Sequence, residues 1–508
     1  MLYSVKQLRQ IEVSAAQHLE SGALMLAAGH AAAQVALQLL HTPNQPVLVL
    51  AGPGNNGGDA YGVAINLAHA GHQVSIVRHP SNSAGSDDSV HTLAKAQACT
   101  GITWLPNDTV LENNYALVID GLFGTGLKRQ KFSASIQKHI AQINALSCPV
   151  LALDVPSGLD ADTGTLISTS AINASHTITF IGDKTGLHTG DGRDFAGIVT
   201  VADLAIAPQF FPTSNMELNH PALFSTLFQQ RRQNSNKGSN GVVNLIGGAV
   251  GMQGAIVLAA RAALYAGAGR VIAGFIDSAP NFDPVQPEIM CRPAQQQQHD
   301  PDHVMVIGPG LGNSIASFDV VSRMLLSANL LVLDADALNL MAQQPALIAL
   351  CNGRTSATTL LTPHPLEAAR LLGCSVEQVQ DDRICAAKKL ARRFSSIVIL
   401  KGSGSIIAKP DGSITINSTG NAGLATGGTG DVLAGVCGAL IAQYKDVGQA
   451  ALAATYLHGA AADNLVRRGI GPIGLTASEL VEEIRTQINS TCHALHKSGS
   501  IDAHHIQR

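Results

Sequence analysis

The 508-residue chain has no C-x-x-C pair among its eight cysteines, which stand at 99, 148, 291, 351, 374, 385, 437 and 492. That scatter argues against a zinc site and against a disulfide framework, so reduced thiols in a cytoplasmic setting are expected. A basic block is missing too. With 32 Lys and Arg against 36 Asp and Glu, the net charge is -4, and no cluster could neutralise a row of phosphates, so nucleic acid is not an expected partner. The apolar run 23–40 is broken by His30, Gln34 and Gln38; it reads as a core helix rather than a signal peptide or membrane span, and no membrane partner is expected. No G-K-[ST] closes any glycine-rich loop, which excludes a Walker loop. Charged residues make up only 13% of the chain against 46% hydrophobic, a balance that suits compact α/β domains with buried parallel sheets.

What is present is a rhythm of short apolar runs separated by helix-length segments. In the first half the runs are 46–51, 73–77, 116–120, 150–154 and 177–181, with a helix expected over about 59–69. In the second they are 241–247, 304–308, 330–334, 359–362 and 397–401. Both series predict parallel sheets with helices on their faces, whose ligands gather at the carboxyl ends of the strands. The rhythm stops between about Pro208 and Asn240, where the polar stretch 229–240 reads as an exposed connection, and a domain boundary is expected near residue 215. The glutamine tract 295–298 reads as a polar loop without a chemical role.

Several strand ends carry polar groups. Gly52-Pro-Gly-Asn-Asn-Gly-Gly-Asp59 formally contains G-x-G-x-x-G, but the next strand ends in Arg78 and His79 instead of the acid that an NAD-binding fold needs. Asp120 precedes Gly121-Leu-Phe-Gly-Thr-Gly126, and Asp154 opens Asp-Val-Pro-Ser-Gly158. Either aspartate alone is readable as a strand terminator accepting loop N–H groups; together with Asn55 and Asn56 they are expected to converge on one crevice.

The second half offers Gly427-Gly-Thr-Gly-Asp431 ahead of an apolar helix. Converging amides and a helix start make an anion cradle, and a carboxylate beside a bound phosphate makes sense if Asp431 takes the proton of an attacking hydroxyl. The competing reading is that Asp431 caps the helix. Lys401-Gly-Ser-Gly-Ser405, Gly308-Pro-Gly-Leu-Gly312, Asp334-Ala-Asp-Ala-Leu-Asn339 and Thr362-Pro-His-Pro-Leu-Glu367 lie at the same predicted edge. His364 is readable either as a substrate contact or as a brace for its turn, and Glu367 as a helix first-turn acid.

The motifs N-N-G-G-D at 55–59, D-G-L-F-G-T-G at 120–126 and D-V-P-S-G at 154–158 resemble the NAD(P)H-hydrate epimerase domain. G-P-G-L-G, D-A-D-A-L-N, L-T-P-H-P-L-E and G-G-T-G-D-V-L-A-G resemble the ribokinase-like superfamily and, within it, the ADP-dependent NAD(P)H-hydrate dehydratases. The resemblance implies an α/β fold: a Rossmann-like three-layer parallel-sheet domain over 1–215 and a ribokinase-like α/β domain over 225–495. It implies that Asn55, Asn56, Gly57, Gly58, Asp59, Gly124, Thr125, Gly126, Leu127, Lys128, Arg129 and Gln130 hold hydrated NADH or NADPH, with Asp154 as proton-transfer base. Asn56, Asp120 and Ser157 match the family's potassium ligands.

For the dehydratase, Ala255, Gly312, His364 and Asp431 are implied to contact the hydrated nucleotide. Lys401, Gly402, Ser403, Gly404, Ser405 and Gly430 are implied to bind ADP, the co-substrate, with magnesium as counter-ion. The family's basic glycine motif survives only as Lys237-Gly238, without its usual neighbours. A homo-oligomer is the expected assembly. Two alternatives compete: a small-molecule kinase using the same anion hole and aspartate, and a first half that binds nucleotide or protein without catalysis. Arg78 has no role in either reading.

Overall fold

In the computed structural model, the strand Pro46–Ala51 sends Val47, Val49 and Ala51 into one apolar layer and Leu48 and Leu50 into another. This is the two-residue period of a strand buried on both faces. Val47 to Leu50 are fully buried, and removing each side chain from water is worth about 2 kcal/mol. Helices Ala23–Leu39 and Asn55–His69 supply the first layer, and helix Ala134–Asn144, through Ile140 and Ile143, supplies the second. The structure describes residues 1–80, 85–127, 132–228, 231–297, 300–327 and 329–505.

The chain divides into two units, Met1–Met216 and Glu217–Arg508. The first holds a seven-stranded sheet in the order Ile102–Leu105, Gln73–Arg78, Pro46–Ala51, Leu117–Gly121, Val150–Leu153, His176–Phe180, Ile198–Ala202, with every pairing parallel. Four strands that are far apart in sequence therefore end side by side.

The second holds a ten-stranded sheet. Its parallel part runs Met290–Pro293, Arg270–Phe275, Val242–Gly247, Val304–Ile307, Leu331–Leu333, Thr359–Leu361, Ile397–Leu400. Ile406–Ala408 and Ile414–Ile416 continue it antiparallel, and Met216–Leu218 ends the order. Val243 and Leu245 pack with helices Gln253–Tyr265, Thr429–Tyr444 and Val447–Arg467. Among the described residues no helix is long and apolar enough to cross a membrane.

The structure amends the sequence reading in four places. Residues 55–59, read as a loop before a helix at 59, already form the first turns of helix Asn55–His69. The stretch from Pro208 in which the apolar rhythm stops still contributes Phe224, Leu227 and Phe228 to the core of the second unit, while the polar connection is exposed throughout from Arg231 to Ser239. The strands Ile102–Leu105, Arg270–Phe275, Met290–Pro293, Ile406–Ala408 and Ile414–Ile416 escaped the apolar-run reading, because these three- to six-residue segments lie at or near the sheet edges. Within the glutamine tract, Gln295 and Gln297 donate to the carbonyls of Ile276 and Leu245, so two of its members brace the sheet.

Candidate active sites

In the first unit the strands ending at Ala51, Gly121, Leu153 and Phe180 are successive neighbours. Their loops border a cavity of about 1030 Å³ lined by Asn55, Asn56, Asp59, the 122–127 loop, Asp154 and Lys184, with Glu12 added from helix Val5–Ala16. Gly124 lies against this floor: a Cβ there would stand 2.9 Å from Asp154 Oδ2.

Asp154 has φ +67°, a left-handed conformation that costs an L-residue about 1 kcal/mol. Its Oδ1 meets Lys184 Nζ at 2.8 Å and its Oδ2 accepts the Thr125 amide at 3.3 Å. Asp59 is buried, and burial, reinforced by the charges of Asp154 and Glu12, pushes its carboxyl well above the usual carboxylate range. Burial and then Asp154 also raise Glu12. Two carboxyls lining this cavity, Asp59 and Glu12, are thus pushed toward the protonated form.

Behind the cavity, Asp120 is fully buried; Ser157 Oγ donates to its Oδ1 at 2.7 Å and the Ser157 amide to its Oδ2 at 2.8 Å. Burial raises Asp120 to about 6 even against these bonds. Beside them Asn56 is buried with both side-chain polar atoms unpartnered. An unpaired buried amide is costly, and an all-oxygen set with such an orphan fits a hard cation.

Not every residue expected to hold the nucleotide faces the cavity. Gly57 and Gly58 serve close packing: a Cβ would overlap the Gly52 carbonyl at the first and meet Met25 Sδ at 2.5 Å at the second. Asn55 accepts from Ser86 Oγ at 2.7 Å. Thr125, Gly126 and Leu127 line the cavity, while Lys128, Arg129 and Gln130 lie outside the described residues. Arg78 lies close enough to Tyr61 to oppose the rise that burial gives its hydroxyl.

In the second unit the first residues past four adjacent strands extend the ladder by one hydrogen bond each: Gly308 to Ile246, Asp334 to Ile307, Thr362 to Leu333 and Lys401 to Pro363. This places Lys401 Nζ 2.7 Å and Thr362 Oγ1 2.8 Å from Asp334 Oδ1. Helix Thr429–Tyr444 starts at the same edge, capped by Gly428 at φ +91° with no side-chain cap, so Asp431 sits in the first turn rather than capping it. Burial, then the charges of Asp334 and Asp336, raise Asp431 to about 6 against the pull of Lys401. Lys401, depressed by burial, is raised on balance by Asp334 and Glu367.

His364 caps helix Pro365–Leu372 in a reciprocal box: its Nδ1 accepts from the Leu366 and Glu367 amides, and Glu367 Oε2 accepts the His364 amide at 2.8 Å. Its bracing role is therefore real, and Nε2, on a side chain that is 45% exposed, also lies 3.2 Å from Glu367 Oε1. Burial pushes Glu367 up to about 7. The Gly312 amide donates to Asp336 Oδ2 at 2.8 Å, and Ala255 lies beside Gly310, where a Cβ would approach it to 3.2 Å. Gly430 faces Lys401 Nζ. In the 401–405 turn, Gly402 at φ +138° packs on the buried guanidinium of Arg383, and Ser405 Oγ donates to the Gly402 carbonyl at 3.1 Å; Ser403 and Gly404 belong to the same turn. Among the described residues no group of three His, Cys, Asp or Glu side chains could by itself hold a metal ion.

Sequence reasoning missed Glu12, Lys184, Arg383 and His458, whose Nε2 lies 2.9 Å from the Thr429 carbonyl under the anion cradle. Lys184 had a usable signal, a glycine-flanked G-D-K-T-G just past a strand. The other three lie within helices, where nothing local marks them.

Residues 243–486 match the family described as NAD(P)H-hydrate dehydratase, and residues 21–186 match the YjeF-related protein N-terminus. The bifunctional NAD(P)H-hydrate repair enzyme Nnr of Coxiella burnetii is 35% identical over 506 residues, covering 96% of this chain and 99% of that protein. The Escherichia coli K12 enzyme of the same name is 36% identical over 480 residues, covering 92% and 89%. Among solved structures, an ADP/ATP-dependent NAD(P)H-hydrate dehydratase from Bacillus subtilis, co-crystallized with ATP/Mg2+, is 29% identical with a TM-score of 0.49, covering 55% of this chain and all of that one.

Proposed function

The chain belongs to the family of bifunctional NAD(P)H-hydrate repair enzymes, and on that footing we propose how its two sites divide the work. The first unit interconverts the R and S forms of hydrated NADH and NADPH. The second dehydrates the S form at the expense of ADP, giving AMP and phosphate.

Epimerisation at C6 requires the bond from that carbon to its hydroxyl oxygen to break and re-form on the opposite face. The adjacent ring nitrogen can supply the electron pair for departure. Asp59, pushed toward its protonated form by burial and its acidic neighbours, is the proton donor to the leaving oxygen; Asp154 receives the proton of the incoming water. The 124–127 loop and the start of helix Asn55–His69 hold the nucleotide. Potassium, held by Asn56, Asp120 and Ser157, would supply fixed positive charge beneath this floor; the orphaned Asn56 amide supports that assignment.

In the second unit Asp431 deprotonates the C6 hydroxyl, which takes the β-phosphoryl group of ADP as AMP leaves and so becomes a good leaving group; phosphate then departs with the C6 oxygen, and a proton lost from C5 completes the double bond of the dihydropyridine. The amides of Gly427 to Gly430 and Lys401 face the transferring phosphoryl group, while Gly402 to Ser405 receive the adenine nucleotide. Ala255, Gly312 and His364 border the nicotinamide side. The carboxyls of Asp334, Asp336, Glu367 and Asp431 influence one another, a field that repels phosphate unless a cation intervenes. Asp336 and Glu367 are the groups that would share magnesium with the nucleotide, and the ion would supply charge neutralisation. The observation that carries this reading is Asp431, half-buried in the first turn of a helix without a side-chain cap and beside the Lys401–Asp334 pair.

The deciding experiment supplies mixed epimers of hydrated NADH with ADP or ATP and follows recovery of dihydropyridine absorbance. AMP plus free phosphate is expected from ADP; a stable phosphorylated alcohol would instead identify a kinase. The eight free cysteines fit a cytoplasmic setting, and a homo-oligomer is the proposed assembly, to be decided by light scattering.

A further inference from the structure

We infer that Lys184 is a positioning residue for epimerisation: it anchors Asp154 Oδ1 so that Oδ2 is the oxygen presented to substrate. Lys184 is 1% exposed, and its Nζ has Thr179 Oγ1 at 2.6 Å, the Phe180 and Gly182 carbonyls at 3.1 and 3.3 Å, and Asp154 Oδ1 at 2.8 Å. Three of those partners are neutral, so Asp154 is the counter-charge that a buried ammonium needs. The three neutral acceptors fix the ammonium in space, and the ammonium in turn fixes one oxygen of a carboxylate on a left-handed backbone.

The chain is bent to achieve this. Ile181, a β-branched residue, sits at φ +69°, and the reversal it makes returns Lys184 beneath the end of its own strand. The other oxygen, Oδ2, has the Thr125 amide at 3.3 Å and lies 2.9 Å from where a Cβ on Gly124 would stand; any larger residue at 124 would cover it. One oxygen is thus tethered and the other left at the cavity, an arrangement suited to proton transfer in a single direction.

The inference rests on Asp154 being the base, so Asp154→Asn is measured alongside. In the full chain, Lys184→Met is expected to lower the epimerisation kcat by about 100-fold with KM changed by less than about threefold, because a displaced base costs turnover rather than binding. Dehydration by the same molecules reports that the chain is intact. A kcat within threefold of wild type, or a loss appearing wholly in KM, overturns the role of Lys184. Full activity in Asp154→Asn instead removes the base assignment itself. Should Lys184→Met fail to fold, Thr179→Val, which deletes one tether and leaves both charges, carries the test: a kcat reduced by about fivefold with KM unchanged supports the tether, and an unchanged kcat refutes it.

Discussion

Lys401 Nζ and Asp334 Oδ1 lie 2.7 Å apart although their strands are not neighbours; the strand Thr359–Leu361 runs between them, and Thr362 Oγ1 donates to the same oxygen. Asp334 is 2% exposed at its side chain and Lys401 19%, so removing the lysine leaves a buried carboxylate without its ion-pair partner. Lys401→Met is expected to destabilise the second unit by about 3 kcal/mol, read as an earlier urea transition, together with loss of dehydration. A shift below about 1 kcal/mol would show that the pair is screened as a surface bridge is.

Asp431, raised to about 6, must be ionised to accept a proton, so kcat/KM for dehydration is expected to climb as pH rises through about 6 and then level. Stability runs the other way. A carboxyl raised above its unfolded value contributes stability that is present at low pH and lost as pH rises through the folded value; Glu367, raised to about 7, acts in the same direction. Asp431→Asn should therefore be inactive in dehydration yet melt higher than wild type at pH 8. A lower melting temperature there would mean that burial does not dominate at this carboxyl.

The two activities should separate by substitution. Asp154→Asn is expected to stop epimerisation while S-form dehydration continues, and Asp431→Asn to do the reverse. Assays with purified R and S forms check this, and parallel loss of both activities in a folded variant would sink the two-site assignment.

Potassium should stabilise the first unit, because it would give the orphaned Asn56 amide oxygen a partner and the buried Asp120 a counter-charge. Replacing sodium by potassium at equal ionic strength is expected to raise the first melting transition by a few degrees. Asn56→Leu should abolish that difference; identical melts for wild type in the two salts would argue against the ion.

Legibility differed between residues for physical reasons. Asp154, Asp334 and Lys401 follow apolar runs, and because a parallel sheet puts all its strand ends on one edge, their convergence was readable from the runs alone. Gly57 and Gly58, expected to hold the nucleotide, pack closely against protein within a helix; a glycine needed for close approach to protein is indistinguishable, in sequence, from one needed for close approach to ligand. His364 could be read as ligand contact or brace, and only the reciprocal bonds with Glu367 exposed the brace.

The sequence by itself determined the α/β class, the two series of strands and the polar residues at their ends, because burial on both faces writes each strand as a continuous apolar run. The tertiary structure alone decided that Glu12, from the first helix, stands at the cavity of Asp154, that Lys184 turns back to hold one of its oxygens, and that Asp334 reaches Lys401 across an intervening strand. Those partnerships depend on the order in which strands cross over in each sheet. So do the raised carboxyls at both sites, since desolvation and neighbouring charge sum over residues that meet only once the chain has folded.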